Sequence, residues 1–227
     1  MKFSLARGAL AVAMTLTLAS CGGGKATFPI NVTVGNVLYP GLVLSTNGMD
    51  VAVNPPATAG DVVNLTFPNE IEYGETYNVI PKGQGTTSTL GAMPAHQTCS
   101  SVTFPADGTA GQLATIQIYY TCSINAYALG GKITGLTAAG LVLTNGSTGG
   151  TYTATPVTDA TTNAPTGAEI TFAMATVPFN STYGITVLSQ PTNQTCRVTN
   201  GAGTMGLAEE AAGGVSNVLV TCTNNPT

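Results

Sequence analysis

Ile116-Gln117-Ile118-Tyr119-Tyr120-Thr121-Cys122-Ser123 alternates without a break: Ile116, Ile118, Tyr120 and Cys122 share one side, and Gln117, Tyr119 and Thr121 take the other. A period of two is the pattern of a β-strand with one buried face. A cysteine on the apolar side puts its sulfur in the core or at its edge. The same arrangement returns in Asn217-Val-Leu-Val-Thr-Cys222, where Val218, Val220 and Cys222 line up.

Other segments follow the same rule. Ile30, Val32 and Val34 alternate with Asn31 and Thr33. Val63, Leu65 and Phe67 alternate with Asn64 and Thr66, and Tyr183, Ile185 and Val187 form a further apolar row. Asn200-Gly201 and Asp107-Gly108 suit tight hairpins. No stretch after the first twenty residues has a convincing 3.6-residue period, although Gly206 to Gly214 is compatible with one helical turn.

The second half of the chain repeats the first. Gly41-Leu-Val-Leu44 recurs as Gly140-Leu-Val-Leu143, each followed by an Asn-Gly pair, Asn47-Gly48 and Asn145-Gly146. Asn64-Leu-Thr-Phe67 corresponds to Glu169-Ile-Thr-Phe172, and Thr76-Tyr-Asn-Val79 to Thr182-Tyr-Gly-Ile185. Gln97-Thr-Cys99 returns as Gln194-Thr-Cys196, and Tyr120-Thr-Cys-Ser123 as Val220-Thr-Cys-Thr223. Copy one spans 28–123 and copy two 124–227. Copy one carries about nine extra residues within 82–95, a stretch of Gly, Thr and Ser that reads as an exposed loop. About seven short strands per copy argue for an all-β chain of two tandem antiparallel β-sandwiches. The chain has no tryptophan, which sets it apart from antibody-type domains.

The first twenty residues read as a signal peptide: Lys2 and Arg7 form a basic start, and Leu10 to Leu18 an apolar run too short to span a bilayer. Leu18-Ala19-Ser20-Cys21 looks like the bacterial lipobox, which makes Cys21 the lipidation site and 21–27 a short tether. Acyl chains there would hold the chain to a membrane. Gly22, in place of an Asp, favours the outer membrane, with its periplasmic and surface faces both open. With Cys21 lipidated, Cys99, Cys122, Cys196 and Cys222 remain, an even number in an oxidising compartment. Three pairings are possible. The duplication favours Cys99–Cys122 and Cys196–Cys222, so that each copy closes its own bridge, worth about 3 kcal/mol by loop entropy.

Charged residues make up only 7% of the chain, against 43% hydrophobic, which excludes disorder through charge. Beyond the leader, Lys25, Lys82, Lys132 and Arg197 face ten acidic side chains, a net charge of −6. No basic patch exists to offset phosphates, so nucleic acid is not an expected partner.

The string Tyr183-Gly-Ile-Thr-Val-Leu-Ser-Gln-Pro-Thr-Asn-Gln-Thr-Cys196, closing in Asn217-Val-Leu-Val-Thr-Cys222, resembles a repeat module of proteobacterial surface lipoproteins. The resemblance covers nearly all of 28–223. Copy one departs within 82–95, where the Gln-Pro step is lost. The resemblance implies immunoglobulin-like β-sandwiches used as spacers or adhesive modules in envelope proteins, with an envelope or extracellular protein partner. It brings no active-site motif.

Candidate chemistry is sparse. His96 is the one histidine, a loop-end residue matched by Asn193 in copy two. No phosphate loop, zinc spacing or Gly-x-Ser-x-Gly is present. No cofactor or metal is expected, although Glu70, Glu72 and Glu75 form an acidic group of the kind calcium prefers. Glu209-Glu210 reads as a polar loop. Tyr39, Tyr73, Tyr119, Tyr127 and Tyr152 include rings that stack on sugars if exposed. The expected class is therefore a non-enzymatic structural, adhesive or protein-interaction lipoprotein. The alternative is a glycan- or small-ligand-binding lipoprotein that uses the 82–95 loop and exposed tyrosines.

Overall fold

A computed structural model describes residues 25–102, 106–113 and 115–226. Cys21 and the whole leader lie outside the described residues.

Copy one contains β1 (Thr27–Phe28), β2 (Ile30–Gly35), β3 (Leu42–Thr46), β4 (Met49–Val53), β5 (Val63–Thr66), β6 (Ile71–Glu72), β7 (Thr76–Asn78), β8 (Ile80–Pro81), β9 (Gln97–Ser101), β10 (Asp107–Thr109) and β11 (Ile116–Ile124). Copy two contains β12 (Ala126–Thr134), β13 (Val142–Asn145), β14 (Thr151–Thr153), β15 (Ile170–Pro178), β16 (Thr182–Ser189), β17 (Gln194–Thr199), β18 (Ala202–Thr204), the short helix α1 (Leu207–Ala211) and β19 (Gly214–Asn224). The described residues are all-β apart from that helix, whose first turn is tied by the Glu209 carboxylate accepting from Gly206 N–H at 3.1 Å.

The two copies order their strands alike. One sheet runs β5-β2-β11-β9 in copy one and β15-β12-β19-β17 in copy two. The other runs β4-β3-β8, with β7 paired to β10, in copy one and β14-β13-β16-β18 in copy two. The expectation of purely antiparallel sheets is corrected: β11 runs parallel to β2, and β19 parallel to β12. The first and last long strands of each copy thus lie side by side in the same direction, which no hairpin can connect. Alternation is common to both pairings and does not distinguish them.

The alternating faces resolve into two separate cores. One gathers Ile30, Val32, Leu42, Leu44, Phe67, Ile116 and Ile118. The other gathers Leu129, Ile133, Leu141, Leu143, Phe172, Ile185 and Val220. Cys99–Cys122 bonds within the first and Cys196–Cys222 within the second. Each bridge joins directly opposed residues of neighbouring strands in one sheet, with Cα atoms 4.0 Å apart. It is therefore not the inter-sheet bridge of antibody domains.

The four Asn-Gly and Asp-Gly pairs divide. Asn47 and Gly48 have φ of 48° and 72° and make the tight β3–β4 hairpin. Asn145-Gly146 does not. It opens a wider turn closed by Gly149 N–H donating to Asn145 O at 2.9 Å, and the buried Asn145 side chain accepts from Gly184 N–H at 2.9 Å. Asp107-Gly108 lies within β10, and Asn200-Gly201 carries the chain from β17 in one sheet to β18 in the other.

Candidate functional site

The most distinctive motif, Gln-Thr-Cys, turns out to be architectural. Gln97 is 2% exposed, and its Oε1 accepts from Leu38 N–H at 2.8 Å and Tyr39 N–H at 3.1 Å, while Nε2 donates to Asn36 O at 2.8 Å. Gln194 repeats the arrangement: Oε1 accepts from Thr137 and Ala138 N–H, both at 2.9 Å. Its Nε2 donates to Gly135 O at 2.9 Å and Asn224 Oδ1 at 3.0 Å. Each glutamine satisfies a bend that leaves the first long strand without ladder partners.

The step before the motif is also shared. Gln190 clamps the outer edge of Cys196, accepting from its N–H at 2.8 Å and donating to its carbonyl at 3.1 Å. In copy one Met93 stands in that place, and its Sδ accepts from Cys99 N–H at 3.4 Å. The Pro94 and Pro191 carbonyls both accept from the backbone N–H of the glutamine three residues later, Gln97 and Gln194. Met93-Pro94 thus takes the place of the lost Gln-Pro step. Gly41 and Gly140, at φ of 123° and 108°, face it closely; a Cβ on Gly41 would lie 2.8 Å from Met93 O.

The insertion is now located. Lys82 N–H donates to Val43 O at 2.8 Å, and Ala92 O accepts from Val43 N–H at 3.3 Å. Residues 83–91 therefore leave and return at one point of the sheet, with internal bonds such as Gly91 N–H to Ser88 Oγ at 2.7 Å. Such a loop, pinched at its ends and bonded within itself, is compact. A cleft of about 420 Å³ between Gln84, Leu90, Met93 and β9 has Cys99 and the buried Tyr120 in its wall. None of Tyr39, Tyr73, Tyr119, Tyr127 and Tyr152 lines it.

His96, expected as a loop-end residue, has a side chain only 18% exposed. It sits at the join of the copies, where a single residue, Asn125, separates β11 from β12. Its ring stacks on Phe179 of copy two, with centroids 3.7 Å apart and planes 5° from parallel. Tyr39 meets both rings edge-on, at 5.1 and 6.2 Å. Nδ1 lies 2.6 Å from Glu210 Oε2, an ion-pair distance without the alignment of a hydrogen bond. The other oxygen of Glu210 accepts from Tyr127 Oη. The backbone closes the same joint: Asn125 N–H donates to His96 O at 2.9 Å, and Phe179 N–H to Asn125 O at 2.8 Å. The Glu210 that read as part of a polar loop is on α1 and reaches across to copy one. Neither Phe179 nor the Glu210 contact carries a local sequence signal, because both depend on how the copies meet.

The joint holds a histidine and a carboxylate, yet among the described residues no hydroxyl or thiol is hydrogen-bonded to the ring. An imidazole covered on one face by phenylalanine and lacking a nucleophile has no acyl-transfer geometry. Glu70, Glu72 and Glu75 are each engaged separately. Glu72 pairs with Lys25 at 2.7 Å, Glu70 accepts from Thr27 Oγ1, and Glu75 accepts from Glu72 N–H at 2.8 Å. Among the described residues no group of three or more His, Cys, Asp or Glu side chains is arranged to hold a metal. The tyrosines do not converge either. Tyr39 and Tyr127 belong to the joint, Tyr73 lies near Phe28, Tyr152 packs on Phe172, and Tyr119 is on the outer face of β11. No helix among the described residues is long and apolar enough to cross a membrane.

No family model matches the chain, and no curated protein does. Among solved structures, it is similar to the major pilin T-13 of Streptococcus pyogenes serotype GAS131465 at 10% identity, covering 90% of this chain and 98% of that one, with a TM-score of 0.27. A second major pilin from Streptococcus pyogenes gives 13% identity over 89% and 99% of the two chains, with a TM-score of 0.21. Likeness at this level transfers neither fold nor role.

Proposed function

We propose that the chain is a non-catalytic lipoprotein, anchored in the outer membrane through Cys21, whose two immunoglobulin-like β-sandwich copies form a stiff structural or adhesive module for an envelope or extracellular protein partner. The observation that supports it best is the joint. Two copies with separate cores and separate disulfides are pinned to each other by a His96–Phe179 stack, an edge-on Tyr39 and the Glu210 contacts. Evolution of a spacer calls for stiffness at this point, whereas a binding cleft between copies calls for an opening. The signature residues support the same reading, since Gln97 and Gln194 serve the backbone rather than a ligand.

The anchor is tested in a proteobacterial host. Wild type should incorporate a palmitate analogue, fractionate with outer membranes and crosslink to envelope proteins. Cys21→Ser should abolish the label and release the chain or leave its leader uncut. Unchanged labelling and unchanged membrane association in this variant would refute the lipoprotein reading.

A further inference from the structure

We propose that the joint between the two copies is proton-linked: a proton on the His96 imidazole tightens the contact between the copies, and its loss loosens it. This rests on the reading of the joint as the stiffening element and adds how that element is regulated.

The ring of His96, in copy one, is held by groups of copy two. Its Nδ1 lies 2.6 Å from Glu210 Oε2. That nitrogen is buried without a hydrogen bond, so the carboxylate is the polar group that meets it. Phe179 stacks on the ring, with centroids 3.7 Å apart and planes 5° from parallel. Both contacts favour the charged ring. A carboxylate attracts an imidazolium, and the negative face of a phenyl ring attracts a cation. A neutral ring forgoes both attractions, and with Nδ1 bare it sets a lone pair against the carboxylate oxygen. Burial works against the charge. The side chains of His96 and Glu210 nevertheless keep 18% and 24% exposure, so the pair is partly hydrated and the desolvation cost is limited. When the copies part, the ring loses Glu210 and Phe179 and returns to water. The closed joint therefore holds the proton more tightly than the open one, and by linkage the proton favours closure.

The titratable groups packed round the ring come from three places. Glu210 is on α1, Tyr127 is on β12 with its Oη donating to Glu210 Oε1, and Tyr39 follows β2 and meets the ring edge-on at 5.1 Å. Tyrosine ionises near about pH 10 and glutamate near about pH 4.3. Between about pH 5 and 8 the imidazole is thus the group that changes charge. The joint is tightest near the acid end of that window and loosens as the ring gives up its proton. The stack and the backbone bonds persist in the neutral form, so the copies stay docked and open more often.

Copy two shows that the backbone does not demand a histidine. Asn193 holds the corresponding place, with φ of 56° against 60° for His96. Both carbonyls accept from an asparagine N–H at 2.9 Å, that of Asn125 and that of Asn225. Asparagine adopts this left-handed conformation readily. The imidazole therefore serves the joint and not the turn.

The test is amide hydrogen exchange by NMR on the full chain at about pH 5.5, 6.5 and 7.5, corrected for intrinsic exchange rates. The reporter is Phe179 N–H, which donates to Asn125 O across the joint. Phe67 N–H, bonded to Ile30 O, and Ile185 N–H, bonded to Gly201 O, report copy one and copy two themselves. Protection of Phe179 should be several-fold higher at the lowest pH than at the highest, within the limit of about tenfold per pH unit for one linked proton. Phe67 and Ile185 should not change. His96→Asn, which puts the copy-two residue into copy one, and Glu210→Gln should each flatten the dependence while Phe67 and Ile185 stay protected. Equal protection of Phe179 at all three pH values, greater protection at the highest, or a dependence that survives in either variant would overturn the proposal. Failure of the stiff joint itself reads differently: Phe179 N–H of wild type then exchanges without protection at every pH.

Discussion

Gln194→Ala should unfold copy two far more easily than its size suggests. The side chain is 3% exposed and makes four hydrogen bonds, to Thr137 N–H, Ala138 N–H, Gly135 O and Asn224 Oδ1, between 2.9 and 3.0 Å. Alanine removes the amide and leaves two backbone donors and one backbone acceptor without it. An unsatisfied buried group costs about 1–3 kcal/mol, and these three are half-buried, so water recovers part of that. About 1 kcal/mol each gives a loss near 3 kcal/mol, a large share of the ~5–15 kcal/mol available to a domain. For a unit of this size that corresponds to a drop in melting temperature of about 12–24 °C. The assay is urea unfolding with the disulfides intact, followed by tyrosine fluorescence and by amide exchange that separates the copies. Gln97→Ala, with three bonds in place of four, should lower copy one by somewhat less. A loss below about 1 kcal/mol for Gln194→Ala, or one equal to that of the exposed neighbour Thr195→Ala, would refute the reading of this motif as a backbone clamp.

Other outcomes follow from the same geometry. Replacing Cys196 and Cys222 with serine should cost copy two about 3 kcal/mol and leave copy one unchanged, since the bridge closes only its own loop; equal losses in both copies by amide exchange would contradict that. Deleting 83–91 to join Lys82 to Ala92 should change the melting temperature by no more than a few degrees, because both ends already meet at Val43 and short loops close at little extra entropy; loss of the folded state would mean that the loop forms part of the core. Burial pushes the Tyr120 phenol up to about 12 from the ordinary 10.0, while its Oη donates to Val79 O at 2.8 Å. Its neutral form costs nothing in either state below pH 10, but the unfolded phenol ionises first, so stability falls as pH rises from about 10 through about 12. Stability of Tyr120→Phe, measured by urea titration across that range, should fall less steeply than that of wild type; parallel curves would be the contrary result.

Much of the fold is legible in the sequence because burial has a short period. Ile116, Ile118, Tyr120 and Cys122 declare one face of β11, and their counterparts in β19 declare the duplication. The direction of β2 beside β11 is not legible, since side chains alternate identically in parallel and antiparallel strands. The role of Gln97 is hidden for another reason: its partners Asn36, Leu38 and Tyr39 lie about sixty residues earlier. Asn145-Gly146 carries the letters of a tight turn, but the Asn145 amide is drawn inward to Gly184, a tertiary contact that overrides local preference. His96 is plain to see as the one histidine, yet Phe179, Glu210 and Tyr127 have no spacing that links them to it.

The central claim is that the two copies move as one stiff body through the His96–Phe179–Glu210 joint. Residual dipolar couplings of backbone amides, measured for the whole chain in a dilute alignment medium, address it directly. The account predicts that couplings from both copies fit a single alignment tensor in wild type. It also predicts that Phe179→Ala, which removes the ring stacked 3.7 Å from His96, requires two different tensors while each copy keeps its own fold. Wild-type couplings that need separate tensors for residues 28–123 and 124–226 would contradict it.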